Sequence, residues 1–151
     1  MEITLHRMSL KGASEYASSL IASFSKEPWK EKWEKGVAEE HLSAYLLNPY
    51  CLGIEARDKE TKKLCGVIIG ELIPFYDGTH LNLVELYVDP SYDHQGIGSL
   101  LLREIESVSR EKHGVKVIEL WTSRAEKTMK FYAKNGYKED KDNLRLIKVI
   151  G

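Results

Sequence analysis

The feature that most constrains this chain is a change of phase inside one strand-like run. In "LNLVELYV", residues 81–88, Leu81 and Leu83 share one parity, whereas Val84, Leu86 and Val88 share the other. Successive side chains of a strand point to opposite faces, so a slip of one residue predicts a β-bulge. A strand buried on both faces writes the same pattern, and at this stage both readings stand. Asp89-Pro90 stops the run. Gly96 and Gly98 follow, then an amphipathic segment from about Ile97 to His113 with the stripe Ile97, Leu100, Leu101, Ile105 and Val108. Gly114 ends it, and "VKVIELWT" returns as a strand. That strand has almost no polar face and is expected to be central in its sheet. Strand, helix and strand form a right-handed unit with a parallel strand pair. A bulge in the first strand would splay that pair.

The flanking segments add hairpins and helices. "EITLHRM" alternates as a first strand. Ser9 is placed to cap a helix carrying Leu10, Ala13, Ala17, Leu20, Ile21 and Phe24 at helical spacing. After the charged, aromatic linker "KEPWKEKWEKG", a second helix carries Val37, Ala38, Leu42, Tyr45 and Leu46, and Asn48-Pro49 ends it. "YCLGIEARD" and "KLCGVIIGELIPFY" read as a hairpin. Downstream of "VKVIELWT", Ser123 and Glu126 match a capping box. The helix it opens carries Met129, Tyr132 and Ala133 on one face, and Asn135-Gly136 stops it. "YKEDKDNLRLIKVI" reads as a closing hairpin. Hairpins on both sides of one strand–helix–strand unit predict a mixed α/β chain of the α+β class. With 151 residues and no candidate linker between domains, residues 1–151 are expected to form a single domain.

Composition narrows the function classes. The 22 basic and 23 acidic residues give a net charge of −1, which offers no attraction for nucleic acid or an anionic membrane. The opening "MEITLHRMSL" has no apolar core of a secretory signal, and no apolar run reaches the ~18 residues of a membrane span. Cys51 and Cys65 are too few for a disulfide framework and sit in apolar context, as buried free thiols do. A cytoplasmic location is expected. Five histidines show no ligand spacing, so no metal is expected.

The glycine turn is the first candidate site. A helix N-terminus presents unpaired N–H groups and partial positive charge, and glycine lets an anion approach them closely. A ligand-free turn would look the same. Glu119, about 20 residues beyond the glycines, is where a nicotinamide dinucleotide would find its ribose-binding acid. Against that reading, Leu101 replaces the third glycine of G-x-G-x-x-G, and the link from Val88 to Gly96 is long. A splayed, bulged strand favours a different ligand. Its exposed backbone amides would suit an extended chain with amides of its own, such as pantetheine, which ends in a pyrophosphate.

Two motifs carry a family resemblance. One is "VELYVDPSYDHQGIGSLLLREIE", a strand ending in hydrophobic-x-Val followed by a loop with Gly96 and Gly98 at the helix start. The other is "FYAKNGY", an aromatic-Tyr pair with Gly136 and Tyr137 in register. Together they resemble the GNAT superfamily, the acyl-CoA-dependent N-acyltransferases. The resemblance implies a central, mostly antiparallel mixed sheet of about six to seven strands, with one splayed parallel pair and about four flanking helices. Asp93 stands where the family usually has Arg or Gln, and Ala125 where many members have Asn. Both departures remove side-chain help and leave the backbone site.

By this resemblance, backbone groups of Leu86, Tyr87 and Val88 would pair with pantetheine. The amides of His94, Gln95, Gly96, Ile97, Gly98 and Ser99 would cradle the pyrophosphate. Acetyl-CoA is then the expected cosubstrate, and the reaction a direct transfer to a primary amine in a ternary complex. Amine acceptors are mostly protonated near neutral pH, so a base helps. Glu85 is the candidate, a lone acid before "LYV"; a salt-bridged or solvent-facing acid is the alternative. Tyr132 is the candidate acid at the departing sulfur; a core aromatic is the alternative. Trp29 and Tyr76, with Asp77, are candidates for the acceptor site, where aromatics and acids suit a cation. Trp33 reads better as an ordinary packing residue. The expected acceptor is a small-molecule or peptide amine, with small amine, aminoglycoside, peptide N-terminus and protein lysine all open, and a homodimer is compatible. A coenzyme-binding module without catalysis is the rival function, and a nicotinamide-dependent oxidoreductase a more distant one.

Overall fold

The chain does change face within "LNLVELYV", and the sheet is built around that point. The computed structural model describes residues 1–151 as two compact units, Met1–Leu120 and Trp121–Gly151. In the first unit, β1 (Ile3–Arg7), β2 (Cys51–Asp58), β3 (Leu64–Phe75), β4 (Gly78–Val88) and β5 (Val117–Glu119) form one sheet in that order. The first three junctions are antiparallel and the last, β4 with β5, is parallel. Helices α1 (Ala13–Phe24) and α2 (Lys35–Leu46) follow β1, and α3 (Ile97–His113) joins β4 to β5. A run of antiparallel neighbours is not the doubly wound parallel sheet of a dinucleotide fold, which removes that rival.

Register explains the phase slip. Ile69 pairs with Glu85 and Gly70 with Leu83, so Val84 is the extra residue of a bulge. Leu81, Leu83, Leu86 and Val88 therefore share one face, while Glu85 and Tyr87 share the other. On β3, Val67 and Ile69 pack with Ala17 and Leu20 of α1 and Ala38 and Leu42 of α2. The alternate residues face α3: a side chain at Gly66 would stand 3.3 Å from Leu101. Leu101, Leu102 and Ile105 are wholly buried there. The sheet thus lies between two helical layers. Tyr87 reaches α1, donating its hydroxyl to the Tyr16 carbonyl at 2.9 Å.

Tyr16, at helical spacing between Ala13 and Leu20, joins the buried side of α1 and is 1% exposed. Its hydroxyl donates to Glu55 at 2.5 Å and accepts the Ser9 N–H at 3.2 Å. Arg57 donates to Glu55 from Nε at 2.6 Å and to Glu15 at 2.6 and 3.1 Å. Burial and the Glu55 bond push Tyr16 up to about 12. Ser9 correspondingly does not cap α1. A 3-10 turn, Leu10–Gly12, intervenes, and the Ser9 side chain makes no cap bond.

The second unit holds α4 (Glu126–Lys134). Its N-cap is Ala125, not Ser123, because the Ser123 hydroxyl accepts the Ala125 N–H (3.0 Å) one step too early. At the other end the motif "FYAKNGY" has a physical basis. Gly136 is left-handed (φ 88). Tyr137 N–H donates to the Tyr132 carbonyl at 3.0 Å and Gly136 N–H to that of Ala133 at 3.0 Å. These are the two bonds of a Schellman stop, and the Tyr132 and Tyr137 rings, 5.7 Å apart, supply its usual apolar contact.

Three expectations about strands fail. The sheet has five strands rather than six or seven, and β5 is its edge rather than its centre. "YKEDKDNLRLIKVI" forms the expected tight turn, with Asp140 accepting from Asp142 N–H at 2.9 Å, but no strands. Alternating apolar residues make a strand only when a neighbouring backbone completes their hydrogen bonds. Leu144, Leu146, Ile147, Val149 and Ile150 are all exposed. β5, left with one neighbour, is paired for three residues only.

Candidate active site

The end of β4 leaves the parallel ladder where the bulge begins. Pairing with β5 runs over His80↔Val117, Leu81↔Ile118 and Asn82↔Glu119. Val84 bulges two residues later, so Leu86, Tyr87 and Val88 lie beyond the last pair. On the β3 side these residues remain paired, with Ile68, Val67 and Gly66. The Val88 carbonyl accepts from the Ser23 hydroxyl of α1 at 3.0 Å. Tyr87 is a buried side chain whose phenol burial pushes far upward, so its contribution to a ligand site is backbone.

From there the chain runs into the glycine turn. Asp89 anchors it, accepting from Ser91 N–H at 3.0 Å and from the Ser19 hydroxyl at 3.3 Å. Pro90–Tyr92 make a 3-10 turn, which accounts for the long link to the glycines. His94, Gln95 and Gly96 are exposed. His94 (φ 63) and Gly96 (φ 76) are both left-handed, an uncommon conformation for the histidine. Nothing lies within 4 Å of where a Gly96 side chain would start. The first turn bond of α3 is Leu100 N–H to the Gly96 carbonyl, so the amides of Ile97 and Gly98 precede it. No acid sits in the first turn of α3, while Arg110, Lys112 and His113 sit in its last. The positive end of its dipole is thus left uncancelled within that turn. Open space, early amides and missing acids all fit a phosphate. Asp93, exposed three residues before Gly96, is the one unhelpful charge.

Glu85 stands on the α2 side of the bulge, its side chain 11% exposed. It is not solvent-facing. Its Oε1 is hydrogen-bonded to Nε2 of His41, a residue of α2. The His41 ring lies 4.8 Å from Trp33 and 5.2 Å, edge to face, from Tyr45. Burial raises the Tyr45 phenol, and the carboxylates of Glu85 and Glu71 add to this. Trp33 donates its indole N–H to Glu31 at 2.8 Å. Glu31, Trp33, Glu34 and Val37 line an open cleft of about 530 Å³.

The structure joins Glu85 to His41 and, through the His41 ring, to Trp33. His41 lies four residues before Tyr45, on the apolar side of α2, and that spacing was its only signal in the sequence. Trp33, read as ordinary packing, holds the His41 ring. Of the acceptor candidates, Trp29 packs edge-on against Phe24 at 5.4 Å. Tyr76 is 99% exposed in the β3–β4 turn, and Asp77 bonds to His80 at 2.8 Å. None of the three meets Glu85 or His41 by a ring or polar contact. Tyr132 belongs to the second unit, where its ring meets Phe131 and Tyr137 edge-on.

Residues 17–137 match the acetyltransferase (GNAT) family. Spermidine N(1)-acetyltransferase of Thermoplasma acidophilum is 27% identical over 156 residues, taking in 94% of this chain and 92% of its own. A possible acetyltransferase from Clostridium difficile 630 superposes with a TM-score of 0.83 at 17% identity, over 100% of both chains. An aminoglycoside acetyltransferase from an uncultured soil metagenomic sample gives 0.71 at 15% identity, again over 100% of both. The two structural likenesses speak for the fold. The family match, spanning well over half of the chain, speaks for kinship: this protein belongs to the acetyltransferase (GNAT) family and is an acyltransferase.

Proposed function

We propose that this acyltransferase moves an acetyl group from acetyl-CoA to a primary amine by direct transfer in a ternary complex, with a polyamine as the first acceptor to try. The observation that carries the reading is the bulge at Val84, which takes Leu86–Val88 out of the parallel ladder just ahead of the glycine turn. Pantetheine amides would pair with backbone at Leu86, Tyr87 and Val88. The pyrophosphate would rest on amides between His94 and Ser99, Gly96 allowing close approach. Glu85 would take a proton from the acceptor ammonium, and a backbone N–H of the bulged strand would face the developing oxyanion. By the family resemblance, Tyr132 would orient or protonate the departing sulfur. The family match takes in residues of both compact units, which supports one acetyltransferase domain over residues 1–151.

The polyamine is suggested by the relative that acetylates spermidine and suits carboxylates set among aromatic rings. The test has two stages. Calorimetry with acetyl-CoA, CoA and NAD should show binding of the first two only. Release of CoA should then be followed with spermidine, an aminoglycoside and a peptide with a free N-terminus. Turnover on spermidine is the expected result. Binding of CoA without turnover on any acceptor would reduce the chain to a coenzyme-binding module, and absence of CoA binding would overturn the reading.

A further inference from the structure

Outside the coenzyme path, the most informative side chain is His41. Its Nε2 is bonded to Glu85 Oε1, and its Nδ1 has no partner in the protein. Trp33 and Tyr45 fix its ring from two sides. The side chain remains 27% exposed, which leaves a route to water. The two ring nitrogens are distinct, and the hydrogen bond made by one sets what the other can do. His41 is held rigidly at one nitrogen and left open at the other.

The chemistry needs such a group. A carboxylic acid in water titrates near about 4.3 and an imidazolium near about 6.5, so imidazole is roughly 100-fold the stronger base. A base works best when its strength matches the working pH. A carboxylate alone is a weak sink for an ammonium proton.

We propose that His41 is a positioning residue for Glu85 and the next carrier of the proton that Glu85 takes from the acceptor amine. The proposal rests on Glu85 as the base. One N–H bond of the ammonium breaks, its electron pair stays on nitrogen, and the proton bonds to a Glu85 carboxylate oxygen. With the resting ring proton on Nδ1, that proton passes to the bare Nε2 of His41, leaving an imidazolium beside a carboxylate. The imidazolium gives its Nδ1 proton to water, and exchange of the ring protons with water restores the Nδ1–H form with Nε2 bare for the next cycle. The neutral amine attacks the thioester carbonyl, the C–S bond breaks, and a second proton from nitrogen ends on the thiol. Nothing is oxidised or reduced, and one proton reaches solvent per amide formed. The titratable groups around His41 are Glu85 from β4, Tyr45 on its own helix, Glu71 of β3 acting on Tyr45, and Glu31 through Trp33.

The test uses acetyl-CoA with spermidine, or with whichever acceptor of the panel turns over fastest. His41→Gln keeps a donor for Glu85 but cannot carry the proton. It should leave KM within about twofold, lower kcat by roughly 10- to 100-fold, and remove the ascending limb of the pH profile assigned to imidazole. His41→Ala should regain turnover when imidazole is added, in step with its neutral fraction. Nitrogen chemical shifts of the His41 ring in the unmutated protein guard against variants that fail to fold. A ring that gains its second proton as pH falls through the working range supports the relay; a ring fixed as the neutral Nε2–H form throughout overturns it. His41→Gln with unchanged kcat and profile, beside a slow Glu85→Gln, overturns the relay and spares Glu85 as base. An unchanged Glu85→Gln, or no turnover on the panel, overturns both.

Discussion

In the proposed function Glu85 is the base and Tyr132 the group at the departing sulfur. Glu85→Gln removes the carboxylate while keeping a partner for His41. Turnover should fall by roughly 100- to 10,000-fold, most at low pH where more amine is protonated, and pH–rate profiles check this. Tyr132→Phe keeps the ring that meets Tyr137 in the helix stop. CoA affinity should hold while turnover falls, by up to a similar factor if the hydroxyl donates a proton and by less if it only orients sulfur; calorimetry beside single-turnover rates separates the two. Tyr16 answers to pH through stability instead. Its phenol is raised from 10.0 to about 12 by burial and Glu55, so its contribution is complete below about pH 10 and is lost as pH rises toward 12. Urea denaturation of Tyr16→Phe should show a loss on the order of 1–3 kcal/mol at neutral pH, from the Ser9 N–H left without its acceptor and the lost bond to Glu55, which Arg57 still holds. Its stability should also fall less steeply than that of the unmutated chain between pH 10 and 12.

Among the elements, α3 and α4 were legible because their signals are local. Ile97–His113 has the bounds its stripe and flanking glycines set, since 3.6-residue periodicity and left-handed stops need no distant partner. The same locality makes the α4 stop testable. Gly136→Ala puts a side chain at φ 88, which should cost about 1–2 kcal/mol and loosen the Tyr132–Tyr137 contact, seen as faster amide exchange at the end of α4. Gly98→Val, at the start of α3, should leave the fold intact and weaken CoA binding by crowding the approach to the backbone. β5 was misread because a strand is defined by its neighbours. "VKVIELW" has the composition of a central strand, yet only β4 pairs with it, and the bulge cuts that pairing short. Ser123 was misread by a similar margin: the capping pattern was present, but the hydroxyl closed a shorter loop onto Ala125.

At the scale of the whole molecule, ligand and fold should be linked. If the site holds acetyl-CoA, free coenzyme at a hundred times its dissociation constant should stabilise the chain by about 2.7 kcal/mol, raising Tm by roughly 5–10 °C. NAD should not, and a shift with NAD but none with CoA would count against the proposed function. What the sequence determined by itself was whatever depends on neighbours along the chain: the helices, the β2–β3 hairpin, the phase slip at Val84, the glycine turn and the "FYAKNGY" stop. These rest on backbone geometry that a few consecutive residues dictate. Only the tertiary structure decided what depends on residues distant in sequence. It placed β5 at the edge, tied Tyr16 to Glu55 across 39 residues, and set His41 of α2 against Glu85 of β4, 44 residues away. A histidine on the apolar side of a helix looks the same in sequence whether it only packs or also bonds to a carboxylate. The difference lies in which side chain the sheet presents to it, and here the bulge at Val84 sets that by turning Glu85 toward α2.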